Sequence, residues 1–585
     1  MKIVLSTLNA KYIHTCLALR YLKAYSEPEF PVTIREFTIK DPSLNIVTDL
    51  YNQQPDVLGF SCYIWNIEET IKVIQMFKKI KPETKIVLGG PEVSYDVAYW
   101  LDRIPEVDFI VVNEGEETFK HLLSEIQTNS SFEAVAGLAY RKEGKPKING
   151  PREKLDLKTV PSPFRFEEDV ANLSKRITYF ETSRGCPYSC AFCLSSIEVG
   201  VRYFDPDLVK DDLIFLMDNG AKIIKFVDRT FNIRRDYALD MFAFLIENRR
   251  PGVVFQFEIT ADIMRPEVID FLNEHAPKGL FRFEIGVQST NDAVNELVQR
   301  RQNFDKLART VTTVRDGGKI VQHLDLIAGL PEEDYNSFRK TFNDVFAFGI
   351  EEVQLGFLKM LRGTGLRLTA EKHDYVYMDH SPYEILGNNV LTFDEIIRIK
   401  QVEDVLEKYW NDHRMDHTVK YLINHVFESP FDFFQEFGTF WETRGWSRIG
   451  HQLEDLFKRL IAFLKESAPH ALPVAESLMK LDYLERQQFK PRKPWWEHTQ
   501  NKEETSKLLA LLAQSPEMIE GFPTLSEKDI FKHAFVTETA IDPLSEQIEQ
   551  DPEKSNMLIA LFDPKQQSTK IFTAPKSIIH AKKDA

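Results

Sequence analysis

Three thiols fall within one short stretch, Arg184-Gly185-Cys186-Pro187-Tyr188-Ser189-Cys190-Ala191-Phe192-Cys193. Spaced C-x3-C-x2-C on a single loop, the thiolates of Cys186, Cys190 and Cys193 can converge on three corners of an iron–sulfur cube. The fourth iron then has no protein ligand. A cube with four cysteines suits electron transfer, whereas one with three keeps a coordination site for a reacting molecule. Structural zinc is the competing chemistry, and it asks for a fourth ligand close by. The segment from Leu194 to Tyr203 contains neither His nor Cys. Chance clustering fits poorly too, because the chain has only five cysteines, the others being Cys16 and Cys62. An odd, sparse cysteine count does not make a disulfide scaffold and points to a reducing compartment, the cytoplasm.

The elements that must hold this loop are legible as short apolar runs. The loop follows a strand-like run at 177–181, and further runs lie at 223–227, 253–259, 281–287, 321–327 and 352–357. Helical patterns separate them, as at 237–247 and 304–316. Six β/α units imply a partial barrel, with ligands at the carboxyl ends of its strands. Ahead of it, strand-like runs at 2–8, 57–60, 85–88 and 107–112 alternate with helical segments at 17–25, 71–79 and up to 123. That alternation predicts a parallel sheet covered on both faces. Pro146, Pro151, Pro161 and Pro163 break the pattern and read as a turn and a linker. Beyond 392 the chain reads as helical, and Phe427, Phe431, Phe433, Phe434, Phe437, Phe440, Trp441 and Trp446 are expected to form a helical core rather than line a pocket. Runs at 556–562 and 570–573 flank Asp563-Pro564-Lys565-Gln566-Gln567 as a hairpin would. The expected fold is therefore α/β: a Rossmann-like domain at 1–140, a linker at 141–176, a partial (β/α)6 barrel at 177–391 and a mainly helical region with a small hairpin at 392–585.

Composition narrows the partners. Of 585 residues, 43% are hydrophobic and 28% charged, as in globular proteins. No apolar run is long enough to span a bilayer, and the first residues lack the pattern of a signal peptide. A net charge of −16 argues against a nucleic-acid partner.

The cysteine loop and the runs around it, over about residues 175–390, resemble the radical SAM superfamily, down to an aromatic residue, Phe192, before the third cysteine. The resemblance implies a 4Fe–4S cluster whose open iron chelates S-adenosylmethionine and whose electron splits that cofactor into a 5′-deoxyadenosyl radical. Ile327-Ala328-Gly329-Leu330-Pro331-Glu332 is similar to the family's I-x-G-x-x-E segment near the adenine, with Asp325 where a glycine is usual. Gln288 and Ser289, closing the fourth strand, resemble ribose and methionine contacts. Val227-Asp228-Arg229-Thr230-Phe231 stands where a G-G-E motif takes the methionine amino group; its glycines are absent, and Asp228 is the candidate acceptor. Asp228 and Glu258 read equally well as cofactor contacts or as ion-pair partners within the barrel.

A strand–helix domain ahead of such a barrel resembles the cobalamin-binding subgroup. Gly89-Gly90-Pro91-Glu92 allows backbone to approach a flat ligand. Glu114-Gly115-Glu116-Glu117-Thr118 resembles the subgroup's G-E-x-E segment, and Ser61 follows the middle strand at the expected corrin edge. The cobalamin contacts implied are Asn9, Ser61, Gly89, Gly90, Glu114, Gly115 and Glu116. The D-x-H-x-x-G signature that puts histidine on cobalt is missing: in Asn9-Ala10-Lys11-Tyr12-Ile13-His14-Thr15-Cys16, His14 lacks both flanking partners, so no imidazole ligand is expected. The family resemblance implies radical modification of a substrate, such as methylation, fed by an electron donor such as flavodoxin or ferredoxin. Two rivals are methylthio transfer to RNA, for which Cys16 and Cys62 are too few extra thiols, and a non-catalytic iron–sulfur or cobalamin-binding protein. If both cofactors act together, the strand-end loops of the two domains must face one cavity, with the aromatic helical region closing one side.

Overall fold

Strand and helix alternate from the first residues onward in the computed structural model, which describes residues 1–197, 200–497, 502–545, 556–563 and 568–580. The order is β1 (Ile3–Asn9), α1 (Leu17–Ser26), β2 (Val32–Thr38), α2 (Ser43–Asn52), β3 (Val57–Ser61), α3 (Ile67–Ile80), β4 (Lys85–Gly89), α4 (Val97–Arg103), β5 (Phe109–Val111) and α5 (Glu116–Thr128). These strands form a parallel sheet in the order β2-β1-β3-β4-β5. Every residue of β1 and β3 is buried, as expected of strands covered on both faces. One face packs on Phe77 and Trp100, the other on Leu19, Phe119 and Leu122.

The sheet is wider than the sequence implies. β6 (Leu138–Lys142) and β7 (Lys145–Ile148) add an antiparallel hairpin to its edge. Glu143 and Gly144 turn it with φ of 51° and 78°, the left-handed pair that a two-residue hairpin needs. Pro146 lies on the edge strand, where no ladder donor is missed.

The barrel strands are β8 (Ile177–Phe180), β11 (Ile223–Phe226), β12 (Val254–Ile259), β13 (Phe281–Gln288), β14 (Val321–Ala328) and β15 (Glu352–Phe357). A two-residue ribbon of β9 (Ser183–Arg184) and β10 (Arg202–Tyr203) is inserted after β8. The six strands are parallel and run in sequence order from β8 to β15, which form the two edges, so the barrel is open. Burial alternates along β12, β13 and β14 because successive side chains point to opposite faces. Phe180, Phe226, Phe255, Phe257, Phe281 and Phe283 form the buried layer, with Phe226 and Phe257 stacked at 4.4 Å. On the opposite face stand Lys225, Glu258, Glu284, His323 and Glu352, giving a charged lumen. β16 (Val376–Tyr377) and β17 (Ile385–Gly387) follow as an antiparallel pair. All these elements belong to one compact unit, Met1–Phe393.

The second unit, Asp394–Ala585, is mainly helical. Phe431, Phe433, Phe434, Phe437 and Trp441 are buried on the helix Pro430–Thr443, and Phe437 meets Phe463 at 4.9 Å, so the aromatics are a core as expected. β18 (Ala534–Thr539), β19 (Asn556–Asp563) and β20 (Ser568–Pro575) make an antiparallel sheet in that order. The expected hairpin is the β19–β20 pair; its turn, 564–567, lies outside the described residues, and β18 adds a third strand. Among the described residues no helix is long and apolar enough to cross a membrane.

Candidate functional site

The cysteine loop begins where β8 ends. Asp228, at the end of β11, is 1% exposed and accepts from Thr182 N at 3.0 Å, Thr182 Oγ1 at 2.7 Å and Ser183 Oγ at 2.6 Å. This ties the start of the loop to the neighbouring strand. Gly185 then turns with φ of 97°. The loop closes on itself through Cys193 N to Cys190 O at 3.1 Å and Ser196 Oγ to Cys193 O at 2.6 Å. Its middle is fastened to the barrel by Ala191, whose N–H donates to Val298 O and whose carbonyl accepts from Leu366 N, both at 2.8 Å.

Cys186 and Cys190 are buried and Cys193 is half-buried. Burial, first, and the neighbouring Cys193 thiol raise the pKa of both Cys186 and Cys190, while Arg300 opposes the rise at Cys190. The three thiols are thus close enough to influence one another.

A cavity of about 450 Å³ separates this loop from the first domain. Its inner end is apolar, between the sheet and α1 and α5, where Leu5, Leu19, Leu22, Val87 and Phe119 line it. Protein cores seldom leave such space, and its size suits a ligand site. Ser61, Gly89, Gly90, Glu114, Gly115 and Glu116 line its rim from the first domain, and Gly185, Leu194 and Ser195 line it from the cysteine loop. A Cβ on Gly90, at φ of 106°, would stand 2.6 Å from Cys62 O, so only glycine fits there. Tyr63 also lines the cavity, its ring stacked on Trp65 at 4.3 Å.

Three expected cobalamin contacts have other work. Asn9 is buried away from the cavity, its Nδ2 donating to His14 O at 3.0 Å. Glu114 and Glu116 do line the cavity, yet their carboxylates are taken by arginines of the barrel. Arg184 donates to Glu116 at 2.6 Å and Glu181 at 2.8 Å and reaches Glu114 at 3.5 Å, and Arg202 also pairs with Glu114. They join the domains rather than presenting acceptors to a ligand. The sequence carries no sign of this clamp, because Arg184 and its first-domain partners are 68 and 70 residues apart. His14 also lies outside the cavity lining; its Nδ1 meets Tyr179 OH at 2.8 Å.

The expected S-adenosylmethionine contacts divide similarly. Gln288 ends β13 with φ of 69°, beside a register shift in the β13–β14 ladder, and its Oε1 is buried without a partner. A strained residue holding an orphaned acceptor fits a ligand hydroxyl. Ile327 is half-buried on the lumen face of β14, and Phe192 is half-buried on the cysteine loop. Asp228, in contrast, spends its carboxylate on Thr182 and Ser183, so it positions the loop. Ser289 is fully buried and donates to Glu333 at 2.6 Å, an internal contact. Gly329 is required by packing, since a Cβ at its φ of 92° would strike Ile385 at 1.9 Å. Glu258 belongs to the lumen's ion-pair group: Lys225 reaches it at 3.9 Å and Glu284 at 2.6 Å. Burial and then Glu284 raise its pKa. In the same layer burial works against His323, but Asp325 and Glu352 push its pKa up to about 10.

Comparison with known proteins agrees with this layout. Residues 3–123 match the B12 binding domain family, residues 180–345 the radical SAM superfamily, and residues 371–562 a family described as a protein of unknown function, DUF4080. The chain thus combines a B12-binding domain with a radical SAM domain, which is the make-up of the cobalamin-binding radical SAM family. It is 29% identical over 361 residues to the cobalamin-dependent radical SAM methyltransferase TokK of Streptomyces tokunonensis, covering 56% of this chain and 52% of that one. It is 28% identical over 379 residues to 2-(S-pantetheinyl)-carbapenam-3-carboxylate methyltransferase of Streptantibioticus cattleyicolor, covering 58% and 55%. The chain therefore spans about half the length of these relatives. The radical SAM methyltransferase TsrM from Kitasatospora setae shares the fold at a TM-score of 0.56 and 15% identity, covering 66% of this chain and 80% of that one.

Proposed function

We propose that this chain is a radical SAM enzyme that holds a 4Fe–4S cluster on Cys186, Cys190 and Cys193, S-adenosylmethionine on the open iron and cobalamin in the interdomain cavity, and that it modifies its substrate by radical chemistry such as methyl transfer. The observation that carries the reading is the shared cavity, into which the Ser61, Gly89-Gly90 and Gly115 loops and the cysteine loop all open. When bound, the cluster would supply the electron that cleaves the sulfonium, and cobalamin a transferable methyl group. The chain's own residues orient and enclose. Asp228 fixes the root of the cysteine loop, Gly90 would let backbone approach a bound corrin, Gln288 offers an acceptor, and the apolar inner cavity would enclose part of the cofactor. His14, engaged with Tyr179 and outside the cavity lining, would not supply an imidazole to bound cobalamin. A low-potential donor, flavodoxin or ferredoxin, in a reducing cytoplasm completes the proposal, supported by five cysteines with no disulfide among them.

Anaerobic reconstitution tests this. The wild type should take up about four irons and one cobalamin per chain and form 5′-deoxyadenosine or S-adenosylhomocysteine. Replacing all three cysteines with alanine should abolish the cluster's visible absorption and both products. Retention of four irons by the triple variant would refute the ligand assignment.

A further inference from the structure

The second unit holds three side chains for which the chemistry proposed above has no use. His417 is the second residue of the helix Asp416–His425, and Asp482 and Glu485 stand in the last turn of the helix Leu472–Glu485. Being three residues apart, Asp482 and Glu485 share a face of their helix. The fold sets that face against His417, 65 residues from Asp482 in sequence. His417 Nε2 lies 3.1 Å from Glu485 Oε2, and one ligand-type atom from each of the three side chains lies within 4.8 Å of the other two. Asp482 is 4% exposed. Its Oδ1 accepts from His417 N at 3.0 Å, and its Oδ2 from Thr418 N at 3.0 Å and Thr418 Oγ1 at 2.6 Å. A carboxylate offers about four acceptor sites, so Oδ1 keeps one. Burial nonetheless pushes its pKa up to about 6, against those donors and the charge of His417. Two acids in the last turn of a helix also oppose its dipole, whose carboxyl end is negative. No basic residue stands in that turn, and Arg486, the next residue, is turned to Asp412 O at 3.1 Å.

We infer that His417, Asp482 and Glu485 form a binding site for a divalent transition-metal ion, zinc being the ion whose ligand preferences they match. An imidazole nitrogen and carboxylate oxygens both ligate zinc, at about 2.0–2.2 Å. Tetrahedral bonds of that length set ligand atoms about 3.4 Å apart, close to the 3.1 Å between His417 and Glu485. The side chains of His417 and Glu485, 44% and 41% exposed, have room to turn onto an ion, while the buried Asp482 stays fixed by its donors. A fourth position faces solvent and takes water. The imidazole selects against magnesium and calcium, which prefer oxygen ligands. Bound there, the ion ties the start of one helix to the end of another. It takes the place of a proton, because imidazole ligates only when neutral. In its absence the hydrogen bond to Glu485, ahead of the opposing effect of burial, raises the pKa of His417. Zinc binding therefore releases a proton and weakens in acid. The site is independent of the cluster and of cobalamin.

The test uses the full chain reconstituted with iron and sulfide, as wild type, His417→Gln and Glu485→Gln. Zinc chloride binding is measured by anaerobic equilibrium dialysis, with zinc and iron both read by elemental analysis. Samples are matched in iron content, so zinc taken up at the cysteine loop cancels between them. Glu485→Gln alters an exposed side chain at a helix end and keeps the test decisive should His417→Gln fold poorly. The wild type should bind one zinc per chain more tightly than either variant, each of which loses about tenfold or more in affinity. Wild-type affinity should weaken between about pH 8 and about pH 6. Zinc should also raise the urea midpoint of the wild type and leave both variants unmoved. Three results overturn the inference. Equal zinc binding by all three proteins means adventitious zinc only. Displacement of zinc by an equal concentration of magnesium or calcium means an unselective acidic patch. No zinc on the wild type reduces Asp482 to a helix cap and His417–Glu485 to an ion pair.

Discussion

His14 shows how far a single residue can be read. The loop around it lacks the flanking aspartate and glycine that put histidine on cobalt, and its ring is held by Tyr179 at 2.8 Å outside the cavity. His14→Ala should therefore leave the spectrum of bound cobalamin unchanged, and loss of a nitrogen hyperfine pattern in its electron paramagnetic resonance would show the opposite. Gly90→Ala should behave differently. A Cβ 2.6 Å from Cys62 O at positive φ must displace the loop at the cavity rim, so cobalamin should be lost while iron content stays at the wild-type level. Residues whose chemistry is local stand out in this way: the cysteine trio by its spacing, and Gly89-Gly90, which line the cavity, by their place after a strand. Asp228 and Ser289 do not, because what occupies them is remote in sequence. Thr182 is 46 residues from Asp228, and Glu333 is 44 from Ser289. A polar residue at a strand end looks the same whether it faces a ligand or an internal partner.

At the scale of elements, legibility followed burial. The six barrel strands stood out because each carries buried apolar side chains, while β2, mostly half-buried, and the edge strand β7, with no buried residue, gave no apolar run to find. The β9–β10 ribbon is two residues long on each side and exists because the cysteine loop closes there. Its Arg184 makes that ribbon the joint between domains. Burial opposes its charge, but Glu181 and Glu116 hold the guanidinium firmly protonated. Arg184→Ala strips the partner from Glu116 and Glu181, whose side chains are 6% and 14% exposed, while Glu114 keeps Arg202. Leaving buried carboxylates uncompensated costs about 3 kcal/mol or more. The urea midpoint of the chain should fall accordingly, and the variant Arg184→Met with Glu116→Gln and Glu181→Gln should recover most of the loss. Equal destabilisation in both would mean that packing on Tyr21, 5.0 Å from the guanidinium, matters more than charge.

Across the whole first unit, the barrel's trailing segment also grips the first domain. Tyr383 donates to Glu92, just past the Gly89-Gly90-Pro91 turn, across 291 residues of sequence, and accepts from Arg362 Nε at 3.2 Å. Arg362 in turn pairs with Asp96 at 2.9 Å and lies 4.0 Å from the centre of the Tyr99 ring. Glu92 is 2% exposed, and burial raises its pKa to about 7, against lowering by Tyr383, Arg362 and Arg367 and a further rise from Glu68. The sign of its effect on stability follows. A carboxyl whose folded pKa lies above its unfolded value near 4.5 is accommodated best while protonated, so its contribution is fully present below pH 4.5 and is lost as pH rises through 7. Holding this carboxylate ionised in the folded chain costs about 3 kcal/mol at most. Glu92→Gln keeps an acceptor for Tyr383 and removes the charge. Urea midpoints of apo wild type and Glu92→Gln should therefore nearly coincide at pH 4, separate as pH rises to about 7 and level off above it, with the variant more stable. Because this contact holds the loop that carries Gly90, hydrogen exchange at residues 90–96 should quicken over the same interval in the wild type and stay level in the variant. Parallel pH profiles for the two proteins would remove Glu92 as the titrating group and leave the domain contact to Arg362 and its aromatic neighbours.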